Sequence, residues 1–135
     1  MRVAVSMSPV MNKLNAWKSC LTFAHAMGVV PTVVVRRGED LEAARLVERT
    51  KLGERVFPVD WASGSYSGML RNGDMLCHAD SLVVLWMEDD RSTSNLIQQA
   101  QHMGMPTYVK NYRTGVVTQT AGRPGTACGD LFATI

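Results

Sequence analysis

Short runs of apolar, β-branched residues alternate along this chain with stretches in which apolar residues recur every three or four positions. The runs predict strands at residues 2–6, 32–36, 55–59, 81–87 and 106–110, and the periodic stretches predict helices at 12–27, 39–51, 68–79 and 92–103. Continuous apolar strands that alternate with helices are typical of a parallel sheet covered on both faces. We therefore expect an α/β fold, a Rossmann-like three-layer sandwich with a mostly parallel sheet of about five strands.

Local signals sharpen some of these boundaries. Gly28 is expected to end the first helix, Asp40 to cap the second, and Pro58 to place the third strand at an edge of the sheet. Residues 1–110 form the expected domain. Residues 111–135 are richer in Gly and Thr and contain one further candidate strand at 116–120, so this extension is expected to be an edge strand or a dimer arm of the same domain.

Composition and charge exclude several classes of protein. A chain of 135 residues with 46% hydrophobic and 19% charged residues is a single globular domain and not a disordered chain. The longest apolar run, residues 82–87, is far too short to span a membrane, and a net charge of +2 does not indicate nucleic acid. The three widely spaced cysteines predict reduced thiols and a cytoplasmic protein, with neither a disulfide framework nor a zinc site.

Polar residues cluster where a parallel sheet binds ligands, beyond the carboxyl ends of its strands and at the following helix N-termini. The candidates for binding an anionic ligand are Ser6, Ser8, Arg36, Arg37, Arg71, Asn72, Ser92 and Thr93. Simpler roles remain open: Ser92 could be a helix cap, and Arg71 could be solvated or paired with Asp60 or Asp74. Trp61 could stack on a nucleobase or close the core.

No Walker A, Gly-x-Gly-x-x-Gly or Gly-x-Ser-x-Gly pattern occurs in the chain, and its three histidines lack metal-ligand spacing. The expectation is therefore that the protein uses neither a cofactor nor a metal.

A longer pattern resembles the YspA-type branch of the SLOG superfamily, which is related to lysine-decarboxylase-like and DprA-like domains. That branch shows Asp-Trp, a short Gly-containing loop, Arg-Asn-x-x-Met, Ala-Asp before a hydrophobic strand, and then Gly-Thr, a helix and Gly-x-Pro. The corresponding residues here are Asp60-Trp61, Ser67-Gly68, Arg71-Asn72, Met75-Leu76, Ala79-Asp80, Ser92-Thr93 and Gly104-x-Pro106. The resemblance covers roughly residues 1–110 and is specific from 60 to 106.

The resemblance implies a nucleotide-binding domain, since SLOG domains bind nucleotides, nucleotide sugars or NAD-derived molecules. It assigns Arg71 to a phosphate or ribose, and Asn72 to a neighbouring loop or a base edge. Some relatives cleave nucleoside monophosphates with a glutamate that follows the Gly-Thr element by three residues. This chain has Leu96 at that position, and Leu cannot act as an acid or base. Glycines of the family's phosphate loops are also replaced, by Arg36-Arg37 and by residues 89–92.

Three functions follow from these observations as hypotheses. The first is binding, without turnover, of a nucleotide or an NAD- or ADP-ribose-derived ligand, as a sensor or as a sponge of the kind a phage could use against a host defence. The second is an N-glycosidase that uses Glu88, Asp89 or Asp90. The third is a protein-interaction domain with a vestigial site. A homodimer or larger assembly is expected, with Trp17, Met69 and Leu70 as candidate contacts; neither nucleic acid nor a membrane is an expected partner.

Overall fold

A computed structural model of the chain describes residues 1–8, 11, 15–58, 67–87 and 91–120. Within these residues, strands and helices alternate in the predicted order. The elements are β1 (Arg2–Met7), α1 (Ala16–Ala26), β2 (Val33–Arg37), α2 (Leu41–Thr50), β3 (Gly53–Phe57), α3 (Ser67–Cys77), β4 (Ser81–Trp86), α4 (Arg91–His102), β5 (Thr107–Asn111) and β6 (Val117–Thr120).

The strands form one sheet in the order β3-β2-β1-β4-β5-β6. β1 to β5 pair in parallel, and β6 is an antiparallel edge strand on β5. Helices α1 and α2 pack on one face of this sheet, and α3 and α4 pack on the other. The protein is thus a Rossmann-like three-layer α/β sandwich, as the alternation of the two periodicities predicts.

Alternate residues of the inner strands β1, β2, β4 and β5 pack into two separate cores. In β4, Val83 and Leu85 pack under α1 and α2, whereas Leu82 and Val84 pack under α3 and α4. This division follows from strand geometry, because successive side chains point to opposite faces of a sheet. All four residues are fully buried, so β4 is the central strand that its apolar run predicts.

Most local predictions agree with the structure. Gly28 has a φ of +77° just after α1, the side chain of Asp40 caps α2 by accepting the Ala43 N–H at 3.0 Å, and β3 lies at an edge just before Pro58. The buried face of α1 consists of Ala16, Cys20, Phe23 and Ala24, while its Trp17 and Leu21 are only partly buried.

Two observations concern the predictions about membrane spans and thiols. No helix in the part of the chain that the structure describes is long and apolar enough to cross a membrane. Cys20 is buried and free, and its burial, assisted by the nearby charge of Asp40, raises the pKa of its thiol. Cys77 is disulfide-bonded, so the prediction of three reduced thiols is wrong for this residue.

Candidate functional site

A buried polar cluster lies at the carboxyl edge of the sheet, on the face covered by α3 and α4. The strand order reverses between β1 and β4, which is where open α/β sheets have a crevice for ligands. β1 contributes Ser6, β2 contributes Arg37, the first turn of α4 contributes Ser92 and Thr93, and α3 contributes Arg71. The fold therefore gathers polar residues from four elements at the position predicted for a ligand.

The adjacent residues Arg36 and Arg37 face opposite sides of the sheet. Arg37 shares a face with Val35, which belongs to the core under α3 and α4, and only 3% of its surface is exposed. Arg36 points to the other face, where its Nε donates to Glu54 on β3 at 2.9 Å. Because strand side chains alternate, only one of the two can join the cluster. The structure thus places Arg37 in the candidate site and Arg36 in a separate ion pair.

The Arg37 guanidinium links three elements through hydroxyl groups. It donates to Ser6 Oγ at 2.7 Å, to Ser92 Oγ at 3.1 Å and to Thr93 Oγ1 at 3.2 Å. The Asp40 carboxylate lies 3.9 Å from the same guanidinium. A planar guanidinium with donors in fixed directions suits such a bridging position, because one group can fix several partners at once.

Arg71 is the second buried cation of the cluster. Its guanidinium makes two contacts of 2.9 Å to the two carboxylate oxygens of Glu39, and it also donates to the Phe57 carbonyl at 3.3 Å. Its remaining contacts are with Asn72 Oδ1 at 3.0 Å and with Ser92 Oγ at 3.5 Å. Arg71 therefore pairs with Glu39 and not with Asp74, whereas Asp60, the other partner considered from the sequence, lies outside the described residues.

Asn72 ties α3 to the start of α4. Its amide nitrogen donates to the Ser92 carbonyl at 3.1 Å and to Asn95 Oδ1 at 3.2 Å, while its oxygen accepts from Arg71. Only 1% of its surface is exposed. Both ends of the amide are thus satisfied inside the protein, and Asn72 positions Arg71 relative to the first turn of α4.

Glu39 is a site residue that sequence reasoning missed. Its side chain is 54% exposed, although the guanidinium that it holds is almost completely buried. Partial burial alone would raise the pKa of Glu39, but the hydrogen bond and charge of Arg71, with the charge of Arg37, lower the pKa below its ordinary value of 4.5. Glu39 is therefore ionised at neutral pH and occupies the outward side of the Arg71 guanidinium.

Asp40 and Ser8 have structural roles next to the cluster. Besides capping α2, Asp40 accepts the Met7 N–H at 2.9 Å and so joins α2 to the end of β1. Burial raises the pKa of Asp40, against the opposing influence of Arg37 and of the two N–H donors. The Ser8 hydroxyl accepts the Met87 N–H at 3.0 Å and holds the ends of β1 and β4 together. The described contacts of the two guanidinium groups of Arg37 and Arg71 do not include the side chain of Ser8 or of Arg36, although Arg36 donates to the backbone carbonyl of Arg37 at 3.2 Å.

Several sequence-based candidates for stacking or catalysis lie outside the described residues. These are Trp61 and the acidic residues Glu88, Asp89 and Asp90. Leu96, which the resemblance places at the position of the catalytic glutamate of SLOG-type N-glycosidases, is fully buried in the core under α4. The residues that the structure describes contain no group of three His, Cys, Asp or Glu side chains that could hold a metal ion.

The donors of this cluster are of the kind that can bind an anion. Two buried guanidinium groups donate to the same hydroxyl, Ser92 Oγ, in the first turn of a helix whose N-terminal N–H groups also favour negative charge. Glu39 and Asp40 supply the balancing carboxylates. Glu39 is the more exposed of the two, so its position on Arg71 is the part of the cluster that is open to solvent.

Comparison of the chain with protein-family models, with curated proteins and with solved structures found no match. The resemblance to SLOG domains therefore remains a hypothesis that rests on the residues quoted for it.

Proposed function

We propose that this domain binds a phosphate-bearing nucleotide, or an NAD- or ADP-ribose-derived molecule, and does not turn it over. The observation that carries the proposal is the convergence of Arg37 and Arg71 on Ser92 at the carboxyl edge of the sheet. Buried arginines that are held in place by neighbouring side chains lose little freedom when they bind a phosphate. Sensing or sequestration of a signalling nucleotide, including a sponge that acts against a host defence, is the role that such binding without turnover would serve.

The Glu39 carboxylate marks the proposed position of the ligand's phosphate. Its two oxygens lie 2.9 Å from two guanidinium nitrogens of Arg71, an arrangement that two phosphate oxygens can reproduce. Glu39 is half-exposed, so it can move into solvent when the phosphate arrives. Ligand binding then exchanges one anion for another at Arg71 and leaves the contacts of Arg71 with Phe57 and Asn72 intact.

Binding can be tested by thermal shift and calorimetry with AMP, NAD, ADP-ribose and cyclic nucleotides. A ligand that binds only the folded state must raise its stability. We expect Arg71→Lys to weaken binding because an ammonium group lacks the planar pair of donors, and Arg71→Ala to weaken it roughly ten- to hundredfold. We expect Glu39→Gln to strengthen binding, because it removes the competing carboxylate.

Arg36→Ala is the matched control for these variants. It removes the same charge from a neighbouring part of the same edge, but from the opposite face of the sheet. The affinity of the Arg36→Ala variant for each ligand should equal that of the unmodified protein. The proposal is wrong if none of the ligands raises the melting temperature at millimolar concentration, or if Arg36→Ala and Arg71→Ala weaken binding equally.

A second proposal concerns assembly, because an apolar surface lies beside the cluster. Met69 and Leu70 on α3 are 50% and 67% exposed, and they border a groove of about 640 Å³ between α3 and α4. We propose that this surface pairs two copies of the chain. Light scattering should give twice the mass of 14.8 kDa for the unmodified protein and a monomer for Leu70→Glu. Val30→Glu is the control, since Val30 is 63% exposed elsewhere, and it should leave the dimer intact.

A further inference from the structure

A second cavity lies at the carboxyl edge of the sheet, where β4 meets the β5–β6 hairpin. Its volume is about 320 Å³, and its lining residues are Trp86, Val109, Asn111, Thr114, Val116 and Thr118. Trp86 and Val109 pack with the core under α3 and α4, so the cavity lies on the same face of the sheet as Arg37 and Arg71. The volume is near the lower limit of small-molecule sites, about 300 Å³, and suits a single ring system.

The Trp86 indole N–H is a buried donor without a hydrogen-bond acceptor among the described residues. Most buried polar groups in folded proteins are hydrogen-bonded, so an unpaired one requires an explanation. Trp86 is the last residue of β4, pairs with Asn111 of β5 and lines the cavity, so it lies at the carboxyl edge of the sheet, where it also packs against the core under α3 and α4. A ligand that enters this cavity could supply the missing acceptor after a small rotation of the ring.

Asn111 provides a second donor in the same cavity. Its side-chain oxygen accepts the N–H groups of Arg113 at 3.0 Å and of Thr114 at 3.2 Å, which fixes the orientation of the amide. The amide nitrogen makes no hydrogen bond to any residue in the described part of the chain and is available to a ligand. Among the lining residues that the structure describes, none carries a charged side chain, and Val109 and Val116 supply apolar walls.

We propose that this cavity binds an uncharged, flat heteroaromatic ring with hydrogen-bond acceptors on its edge, namely a nucleobase. The two N–H donors require acceptors on the ligand. The lining residues in the described part of the chain offer no cation to a phosphate, and an indole ring stacks well on a base. The choice of a nucleobase rests on the proposed function, in which the phosphate binds at Arg71. The ring site itself follows from Trp86 and Asn111.

The test is to follow the tryptophan indole N–H signals by ¹⁵N NMR during titration with adenosine and with uridine, neither of which carries a phosphate. The Trp86 signal is identified by its absence in Trp86→Phe, which keeps an aromatic wall. We expect at least one nucleoside to shift the Trp86 signal and to leave that of Trp17, which packs on the opposite face, unchanged. Asn111→Leu should weaken this binding roughly fivefold, and circular dichroism should show that the variant is folded.

Ribose 5-phosphate and inorganic pyrophosphate separate this inference from the proposed function. If Arg71→Lys weakens the binding of pyrophosphate, the phosphate site at Arg71 is supported. Arg71→Lys should not change the affinity for adenosine. The inference is overturned if neither nucleoside moves the Trp86 signal at millimolar concentration, or if ribose 5-phosphate moves it equally. It is also overturned if Asn111→Leu is folded and binds the nucleoside as tightly as the unmodified protein does. None of these results changes the conclusion on phosphate binding at Arg71, which the pyrophosphate titration tests separately.

Discussion

The pairing of Arg71 with Glu39 can be measured without any ligand by a double-mutant cycle on the free energy of unfolding. Glu39→Gln removes the negative charge with little change of shape, and Arg71→Met keeps a long side chain while it removes the guanidinium. The cycle isolates the interaction between the two residues from their contacts with the rest of the protein. This interaction matters because the proposed ligand has to replace it.

The structure sets the expected magnitudes. Arg71→Met removes charged donors to Phe57 and Asn72 as well as to Glu39, and should cost about 2–3 kcal/mol. Glu39→Gln should cost only about 0.5–1 kcal/mol, because its side chain is 54% exposed and the charge is well solvated. The interaction energy of an ion pair with one exposed partner should resemble that of surface ion pairs more than that of fully buried pairs. We therefore expect a coupling energy of about 1 kcal/mol.

Urea unfolding monitored by circular dichroism gives the four free energies, provided that the m-values agree. The cycle for Arg36 and Glu54 is the control, since this pair has the same 2.9 Å contact and a half-exposed carboxylate on the opposite face. A coupling near zero for Arg71 and Glu39 would mean that Glu39 does not occupy the guanidinium in solution. A coupling above about 3 kcal/mol, typical of buried pairs, would make the pair part of the scaffold and would refute displacement by a ligand.

Three further outcomes are expected. The pKa of Glu39 is lower in the folded protein than its ordinary value of 4.5, so the stabilisation by its carboxylate should be complete above pH 4.5 and should vanish as the pH falls through the lower value. The free energies of unfolding of Glu39→Gln and of the unmodified protein, measured at each pH, should show this. A difference between the two proteins that stays constant with pH would contradict it. Asp40→Ala should lower the free energy of unfolding by about 2–4 kcal/mol because the N–H groups of Met7 and Ala43 both lose their acceptor. If urea unfolding shows that the free energy falls by less than about 1 kcal/mol, one of these hydrogen bonds is absent. Leu96→Glu should unfold the protein and not create a hydrolase, since it buries a carboxylate in the core; a folded variant by circular dichroism would refute this placement of Leu96.

The amino-acid sequence by itself determines the type and order of the elements. Continuous apolar runs and helical periodicity are local properties of the chain. A strand such as β4 that is apolar on both faces requires helices on both sides. Gly28, Asp40 and Pro58 mark their boundaries through backbone conformation and capping, which depend on the nearest neighbours in the chain. Strand β2, at Val33–Arg37, is shifted by one residue from the prediction, because a sequence pattern fixes element ends only approximately.

Only the tertiary structure decides which polar residues meet. Arg36 and Arg37 are equivalent candidates in the sequence, yet the alternation of side chains in β2 sends one to Glu54 and the other to Ser6 and Thr93. Glu39, which is 32 residues from Arg71 along the chain, becomes its partner only because α3 packs beside β2 and β3. Contacts of this kind depend on strand order and on the positions of helices across the sheet, which local periodicity does not encode.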